Sequence, residues 1–491
     1  MTSDYRIVFG DIHNHNAHGY GKGSIERSLD IAQTHLDFFA FTGHSSWHDL
    51  EVSTDGRFKH FTDGFARLAE TWPRVQRAIA DANRPEEFVA FLGFEWHSNT
   101  YGDQCVIFSD DDRQMCYAQD IEGLRAFARQ NGALLVPHHV AYPRGWRGLN
   151  WDEYDPALAP VVEIYSMHGC SESDHSPFPM KIGSPGGRST TQTIEHALSR
   201  GLRFGFTAST DNHRGFPGAW GEGVMAALVG DLSRGGVLDA IRNRRTYALT
   251  GDRIEIDFTV NGALMGSEIS ATDTLEVAYD VRCRDTIDRI ELVLNNEVVA
   301  VDCPAERAGA GRDPVQLRME WGWGPWGDLG ASRVVDWEFD LQLTGARLLR
   351  HFPCLTSGPF DEDRRHRLSR KEDGLHIVSY TSRKDAFLNN PNQAVVLEVL
   401  PEPDAEISVE LRAPAPMQRR FRIADLLQRS AEVHTGAYPC ESFQLHHAVT
   451  QSQSHMKKKH TLAAPKQPSF LYLRVTQKNG QMAWTSPVFI D

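Results

Sequence analysis

His13 and His15 stand one residue apart at the end of the apolar run from Arg6 to Ile12. In an extended chain that spacing turns both imidazoles to the same side, where they can chelate one divalent ion. A short apolar run ending on a metal-ligating side chain then recurs along the sequence. Phe38 to Gly43 ends at His44, Phe88 to Phe94 at Glu95, and Ala133 to Pro137 at His138 and His139. Val161 to Tyr165 leads to His168, and Arg203 to Ala208 leads to Asp211 and His213. Glu95 has the chemistry to bridge two ions and lower the pKa of a water held between them, and Asp211 to complete the shell of the first ion. Each residue alone is an ordinary polar group at a strand end. Gathered in one place without a cation, so many ionisable groups would be costly to bury, so the set reads as a metal centre.

Positioning such a set calls for strands whose C-terminal ends meet at one mouth, as in an α/β barrel. From residue 5 to about 250, apolar runs alternate with helix-like stretches at Ser24 to Leu36, Gly64 to Asn83, Asp120 to Gln130 and Thr191 to Arg200, the βα pattern of a parallel sheet or barrel. Beyond Arg253 the texture changes to period-two alternation, as in Arg253 to Gly262, Thr274 to Val281, Ala394 to Leu400 and Phe470 to Val475, which predicts a β-sandwich-like second half. Ala305 to Pro314 and the polar stretch Gln451 to Lys466, with its three lysines 457–459, read as loops.

With 491 residues, two domains are the starting expectation. A formal charge of −14 argues against the phosphate attraction on which nucleic-acid binders rely and favours a small-molecule substrate. No apolar run approaches the ~20 residues of a membrane span. Seven scattered cysteines without CxxC spacing suggest reduced thiols rather than a disulfide framework. The N-terminal residues lack a basic region followed by an apolar one, so the expected location is the cytoplasm.

The order His13-Asn-His15, Thr42-Gly-His44, Gly93-Phe-Glu95, Pro137-His138 and Asp211-Asn-His213 resembles the PHP family, the polymerase and histidinol phosphatase superfamily of metal-dependent hydrolases. Segments such as Ser209-Thr-Asp-Asn-His-Arg-Gly-Phe-Pro-Gly218 resemble the branch of that family that carries a C-terminal β-domain. The resemblance implies a distorted (β/α)7 barrel over residues 1–266, a β-rich domain over 267–491, two or three Mn, Zn or Fe ions, and hydrolysis of phosphoesters by a metal-bridging hydroxide. It implies one ion on His13, His15, Glu95 and Asp211, a second on Glu95 and His138, and a third on His44 and His213. Where that pattern has further ligands, this chain offers His18 or Tyr20 and His97 or Asp103.

His168 is expected to orient a ligand or to protonate the leaving group, and His139 to be structural. Arg144, with Trp146 beside it, is the candidate clamp for an anionic substrate group. Two other functions fit the same residues. An amidohydrolase-like enzyme would cleave a C–N or C–O bond at this metal site. A non-catalytic scaffold would use the second half to bind a ligand, with Trp321, Trp323 and Trp326 as a stacking platform.

Overall fold

The computed structural model describes residues 5–51, 56–180, 187–304, 313–323, 334–357, 360–382, 392–436 and 440–491. It is a mixed α/β structure made mostly of strands. The first half contains β1 (Arg6–Asp11), α1 (Ile25–His35), β2 (Phe38–Ala40), β3 (Gly43–Trp47) and α2 (Lys59–Ala82). It continues through β4 (Val89–Phe91), β5 (Gly93–His97), β6 (Gln104–Ile107), α3 (Ile121–Asn131) and β7 (Leu134–Pro137). It closes with β8 (Val161–Ser166), β9 (Gly169–Cys170), α4 (Ile194–Ser199), β10 (Gly205–Ala208), β11 (Val224–Val229), α5 (Arg234–Arg242) and β12 (Thr246–Leu249).

Helices α1, α3 and α4 begin where a side chain takes up a free backbone N–H group. Ser24 accepts from Arg27 N at the start of α1, Asp120 from Gly123 N at α3, and Thr193 from His196 N at α4. Ile25, Leu29, Ala32 and Leu36 recur at i, i+4, i+7 and i+11 and enter one apolar cluster with Leu68, Trp72, Val75 and Ile79 of α2. That cluster also holds Phe39, Phe41, Leu92 and Phe94, so the helices cover one flank of the strands that carry His44 and Glu95.

These ladders do not show a (β/α)7 barrel. β1, β2 and β4 run parallel, as do β3 with β5 and β8 with β10, but β6, β7, β9, β11 and β12 join antiparallel. Between β7 and β8 the described residues contain only a 3-10 turn, Trp151–Glu153, where a repeating βα unit would place a helix. The two stretches Phe38 to Trp47 and Val89 to His97 pair with each other first in one sheet and then in another, with a break at Phe41–Thr42 and at Leu92. Side chains take over backbone groups at the break: Asn14 Nδ2 donates to Ala40 O at 2.9 Å, and Asn14 N donates to Thr42 Oγ1 at 3.0 Å. Apolar runs of four to six residues carry no signal of strand direction, which is why the parallel barrel was the natural expectation.

In the second half, alternation translates directly into packing. Ile256, Phe258 and Val260, with Leu275, Val277, Tyr279 and Val281, face Leu471, Leu473 and Val475 in one buried cluster. A nine-stranded sheet built on two long strands, Val334–Cys354 and Gln393–Ala413, encloses a second cluster around Trp337, Phe339, Ile407 and Val409. The stretch 451–466 is not a loop: Gln451–Ser454 is one helical turn and His455–Ala463 is a strand paired with Thr274–Arg282, which spaces the lysines along a ladder. Residues 305–312 of the other expected loop lie outside the described residues.

The eleven-stranded sheet takes strands from both sides of residue 266, since β12 pairs with Met482–Thr485. Trp484, on that strand, is fully buried beside Phe206, Tyr472 and Tyr165, and its Nε1 donates to Glu172 Oε2 at 2.8 Å. Trp484→Ala removes a large buried side chain together with one of the partners of a buried carboxylate. It should destabilise the protein by about 3–5 kcal/mol, read as a lower urea midpoint relative to wild type.

Candidate metal centre

The end of β1 and the segment after β10 are joined by hydrogen bonds that bring two sets of candidate ligands face to face. Asp211 N donates to His13 O at 2.8 Å, His15 N to Asn212 O at 2.9 Å, and Gly215 N to His15 O at 3.1 Å. The Asp11 carboxylate, fully buried, accepts from Thr210 Oγ1 at 2.6 Å, Gly218 N at 2.9 Å and His13 N at 3.1 Å. Asp211 adopts φ 53°, a left-handed conformation that costs energy for a residue with a Cβ and that these bonds hold in place.

Around this frame the seven residues proposed as metal ligands converge. His15 Nε2 lies 2.9 Å from Asp211 Oδ1 and 3.2 Å from His13 Nε2, and His13 Nε2 lies 3.4 Å from Asp211 Oδ1. Glu95 Oε2 lies 3.3 Å from His44 Nε2, 3.5 Å from His15 Nε2 and 3.9 Å from His13 Nε2. Glu95 Oε1 lies 2.9 Å from His138 Nε2, and His213 Nε2 lies 3.1 Å from His44 Nε2. Two ligand atoms that share an ion at about 2.1 Å, at angles of roughly 90° to 110°, sit about 3.0 to 3.4 Å apart, so most of these spacings suit divalent cations. Glu95 Oε2 is buried and accepts no hydrogen bond, although three imidazole nitrogens surround it. An orphan carboxylate oxygen ringed by nitrogen lone pairs is the environment of a cation, and the residues present fit one.

The electrostatics agree. Burial alone would raise the Glu95 carboxyl, but His97, His44 and His138 outweigh it and hold the group well below the usual range. Burial is likewise outweighed at Asp211 by His13 and His168. Burial pushes the His44 imidazole well down, helped by His15, and brings His213 to about 3, leaving both rings neutral with lone pairs to donate. His13 departs from this. Burial lowers it, but Asp211, Cys105 and Glu163 together lift it well above its ordinary value. Glu163 is itself pushed up to about 7, chiefly by burial, with His13 acting against the rise.

Glu163, on β8, is a functional residue that the sequence reading missed. Its Oε2 lies 3.1 Å from His13 Nδ1, which fixes the ring and leaves Nε2 to face the centre. Its signal was an acid at an alternate, inward position of an otherwise apolar strand. Cys105, on β6, was read only as a reduced thiol; its buried Sγ lies 3.6 Å from His138 Nδ1, and burial pushes the thiol up to about 12. His168 has its Nε2 2.9 Å from Asp211 Oδ2 and its Nδ1 2.8 Å from the Tyr142 hydroxyl, so it turns Asp211 Oδ1 toward His13 and His15.

Arg144 does not reach the centre. It pairs with Asp152 at 3.1 Å, both side chains are exposed, and Trp146 beside it is 65% exposed. The guanidinium that enters is that of Arg147, bonded to Asp103 and 3.8 Å from Glu95 Oε1. His97 and Asp103 both join the cluster, with His97 Nδ1 2.8 Å from Asp103 Oδ2 and 3.2 Å from Glu95 Oε1. His139, expected to be structural, lies 3.4 Å from Asp103. His18 points away to Thr71 Oγ1 at 2.7 Å, whereas Tyr20 stacks on the His44 ring with centroids 3.5 Å apart. Trp321 is buried with its Nε1 on Ser379 Oγ, which removes it from any stacking platform, and Trp326 lies outside the described residues.

No family model matches this chain. An uncharacterized protein of Chlamydia trachomatis is 29% identical over 269 residues, which cover 48% of this chain and 43% of that protein. An uncharacterized protein of Chlamydia pneumoniae is 22% identical over 254 residues, covering 47% of this chain and 40% of that protein. The chain thus spans about two fifths of the length of the curated relatives it matches. A crystal structure described as a two-domain protein containing a predicted PHP-like metal-dependent phosphoesterase, from Bacteroides vulgatus, aligns over 86% of this chain and 96% of that one. Its identity is 12% and its TM-score 0.32, a superposition too loose to carry fold or function over.

The geometry separates Glu163 from Arg144. Glu163→Gln should weaken metal affinity roughly 10- to 100-fold in a competitive chelator titration, because it unfixes the His13 ring. Arg144→Ala should leave the affinity unchanged.

Proposed function

We propose that the chain is a metal-dependent hydrolase whose substrates are small anionic phosphoesters. The observation that carries this reading is the orphan Glu95 Oε2, buried among the Nε2 atoms of His13, His15 and His44 with Asp211 alongside. The order of motifs that resembles the PHP family supports phosphoester chemistry over the cleavage of amides or lactones. Divalent ions bound here supply Lewis acidity toward a phosphoryl oxygen and make water acidic enough to attack at neutral pH.

The rest falls to the chain's own residues. His13, His15, Glu95 and Asp211 would hold one ion, His44 and His213 another, with His138 on the far oxygen of Glu95. Glu163 keeps His13 Nε2 pointed inward, and His168 aims Asp211 from the edge of the site, where its side chain is 20% exposed. That exposure lets the ring hand its proton to a departing alkoxide or phenoxide. Tyr142 fixes the ring from its other nitrogen. Tyr20, stacked on His44, covers that ring, whose side chain is 1% exposed.

The test is hydrolysis of an aryl phosphomonoester and an aryl phosphodiester by protein reconstituted with Mn. Activity should follow metal content, and Asp211→Ala should lower kcat/KM about 1000-fold or more, the equivalent of several kcal/mol of lost charge stabilisation. Folded, metal-free protein that is equally active would overturn the reading. Inertness toward every phosphoester with cleavage of a lactone or amide would move the chain to the amidohydrolase-like alternative.

A further inference from the structure

The two oxygens of Glu95 stand in opposite circumstances. Oε2 is the orphan described above, whereas Oε1 is met by His138 Nε2 at 2.9 Å, His97 Nδ1 at 3.2 Å and Arg147 Nη2 at 3.8 Å. Beyond Oε1 lies a grouping of Glu95, Asp103, His138 and His139 that has the composition of a further ion site. Its second carboxylate is already engaged. Asp103 Oδ1 accepts from Ser98 N at 2.9 Å, and Oδ2 takes Arg147 Nε at 2.6 Å, Arg147 Nη2, and His97 Nδ1 at 2.8 Å. A guanidinium is charged at every pH a protein meets, so the positive charge at this place is permanent.

Arg147 is built into that position. Its guanidinium stacks over the Trp47 ring, 5.1 Å from the centroid, and only 12% of its side chain is exposed. Its backbone takes φ 69°, a left-handed conformation that L residues other than glycine rarely adopt. The neighbours enforce the turn. Gly148 N donates to Pro143 O at 3.2 Å, Asn150 N donates to Tyr101 O at 3.0 Å, and a Cβ on Gly148 would come within 1.8 Å of Tyr142 O. Backbone strain spent on driving an arginine inward against a carboxylate points to a requirement for its charge.

We infer that Arg147 is a fixed cation standing in for a metal ion at the Glu95–Asp103–His138–His139 grouping, so that this chain loads ions only on the Oε2 side of Glu95. Those ions go to His13, His15 and Asp211 and to His44 and His213. The inference rests on the metal-centre reading above and deepens it. His97, Asp103 and His139 are then positioning residues for Arg147 and Glu95 rather than ligands. A like charge at this distance repels a divalent ion from Oε1, and the pair Arg147–Asp103 needs no ion for its own neutrality.

The experiment counts ions by elemental analysis on the full chain reconstituted with Mn and freed of loosely bound metal, with ion positions from anomalous diffraction. Wild type should carry about two ions per chain, with none on Asp103. His139→Ala and Arg147→Lys should hold the same number, and Arg147→Ala should gain about one, since the vacated grouping then has two carboxylates and imidazoles without a cation. An ion on Asp103 in wild type, an ion lost from His139→Ala, or an Arg147→Ala protein that folds and gains none would overturn the inference. Should Arg147→Ala fail to fold, the wild-type map and His139→Ala still decide it. A wild type that takes up no ion at all would overturn the metal-centre reading itself, an outcome distinct from an ion found on Asp103.

Discussion

The constraint on which the site depends is charge compensation in a volume that excludes water. Glu95, Asp103, Asp211 and Glu163 are each at most 3% exposed, and the imidazoles of His13, His15, His44, His97, His138 and His139 surround them. Desolvating that many ionisable groups is unfavourable unless each charge meets an opposite one. The protein meets the demand in two ways. Asp103 has Arg147, and Asp211 has His13, His15 and His168. Two oxygens of these carboxylates, Glu95 Oε2 and Glu163 Oε1, are left without a hydrogen bond, and Glu95 Oε2 is the one ringed by imidazole nitrogens, which marks the centre as a candidate cation site and not merely a buried polar network.

Much of this was legible in the sequence because a strand fixes direction by counting. His13 and His15 are two residues apart, as are Asp211 and His213, and the first residue of each pair lies at a strand end or just past it, so the gathering of His44, Glu95 and His138 with them followed from the repeated run-then-ligand pattern. The supporting residues were harder to see. Glu163 acts on a ligand and not on an ion, and an acid inside an apolar strand has no spacing to announce that role. Arg144 and Arg147 are three residues apart in one loop, and only the left-handed turn at Arg147, imposed by the close approach of Gly148 to Tyr142, decides which guanidinium turns inward. Strand direction was illegible for a different reason. Whether a run such as Gln104–Ile107 pairs parallel or antiparallel is settled by long-range partners, not by its own four residues.

Rigidity of the centre is shared between distant parts of the chain. Asp211 and His213 sit on a connection whose backbone is held from the first half by His13, His15 and Asp11, and from the second half as well. Arg27, fully buried in α1, donates to Arg214 O at 3.0 Å and Gly215 O at 2.9 Å, and its Nε donates to Asp361 O at 3.0 Å. Glu222 takes Ser357 Oγ at 2.9 Å on one oxygen and Asn212 Nδ2 on the other, and Trp220 N donates to Leu355 O at 2.7 Å. A residue held at φ 53° is poised to relax once its restraints weaken, so the strain at Asp211 is sustained by contacts from both sides. The second half of the chain is therefore more than an appendage. Its residues Leu355, Ser357 and Asp361 support the ligand-bearing connection, and the position of Asp211 relative to His13 and His15 is a property of the whole structure rather than of the strands that carry the candidate ligands alone.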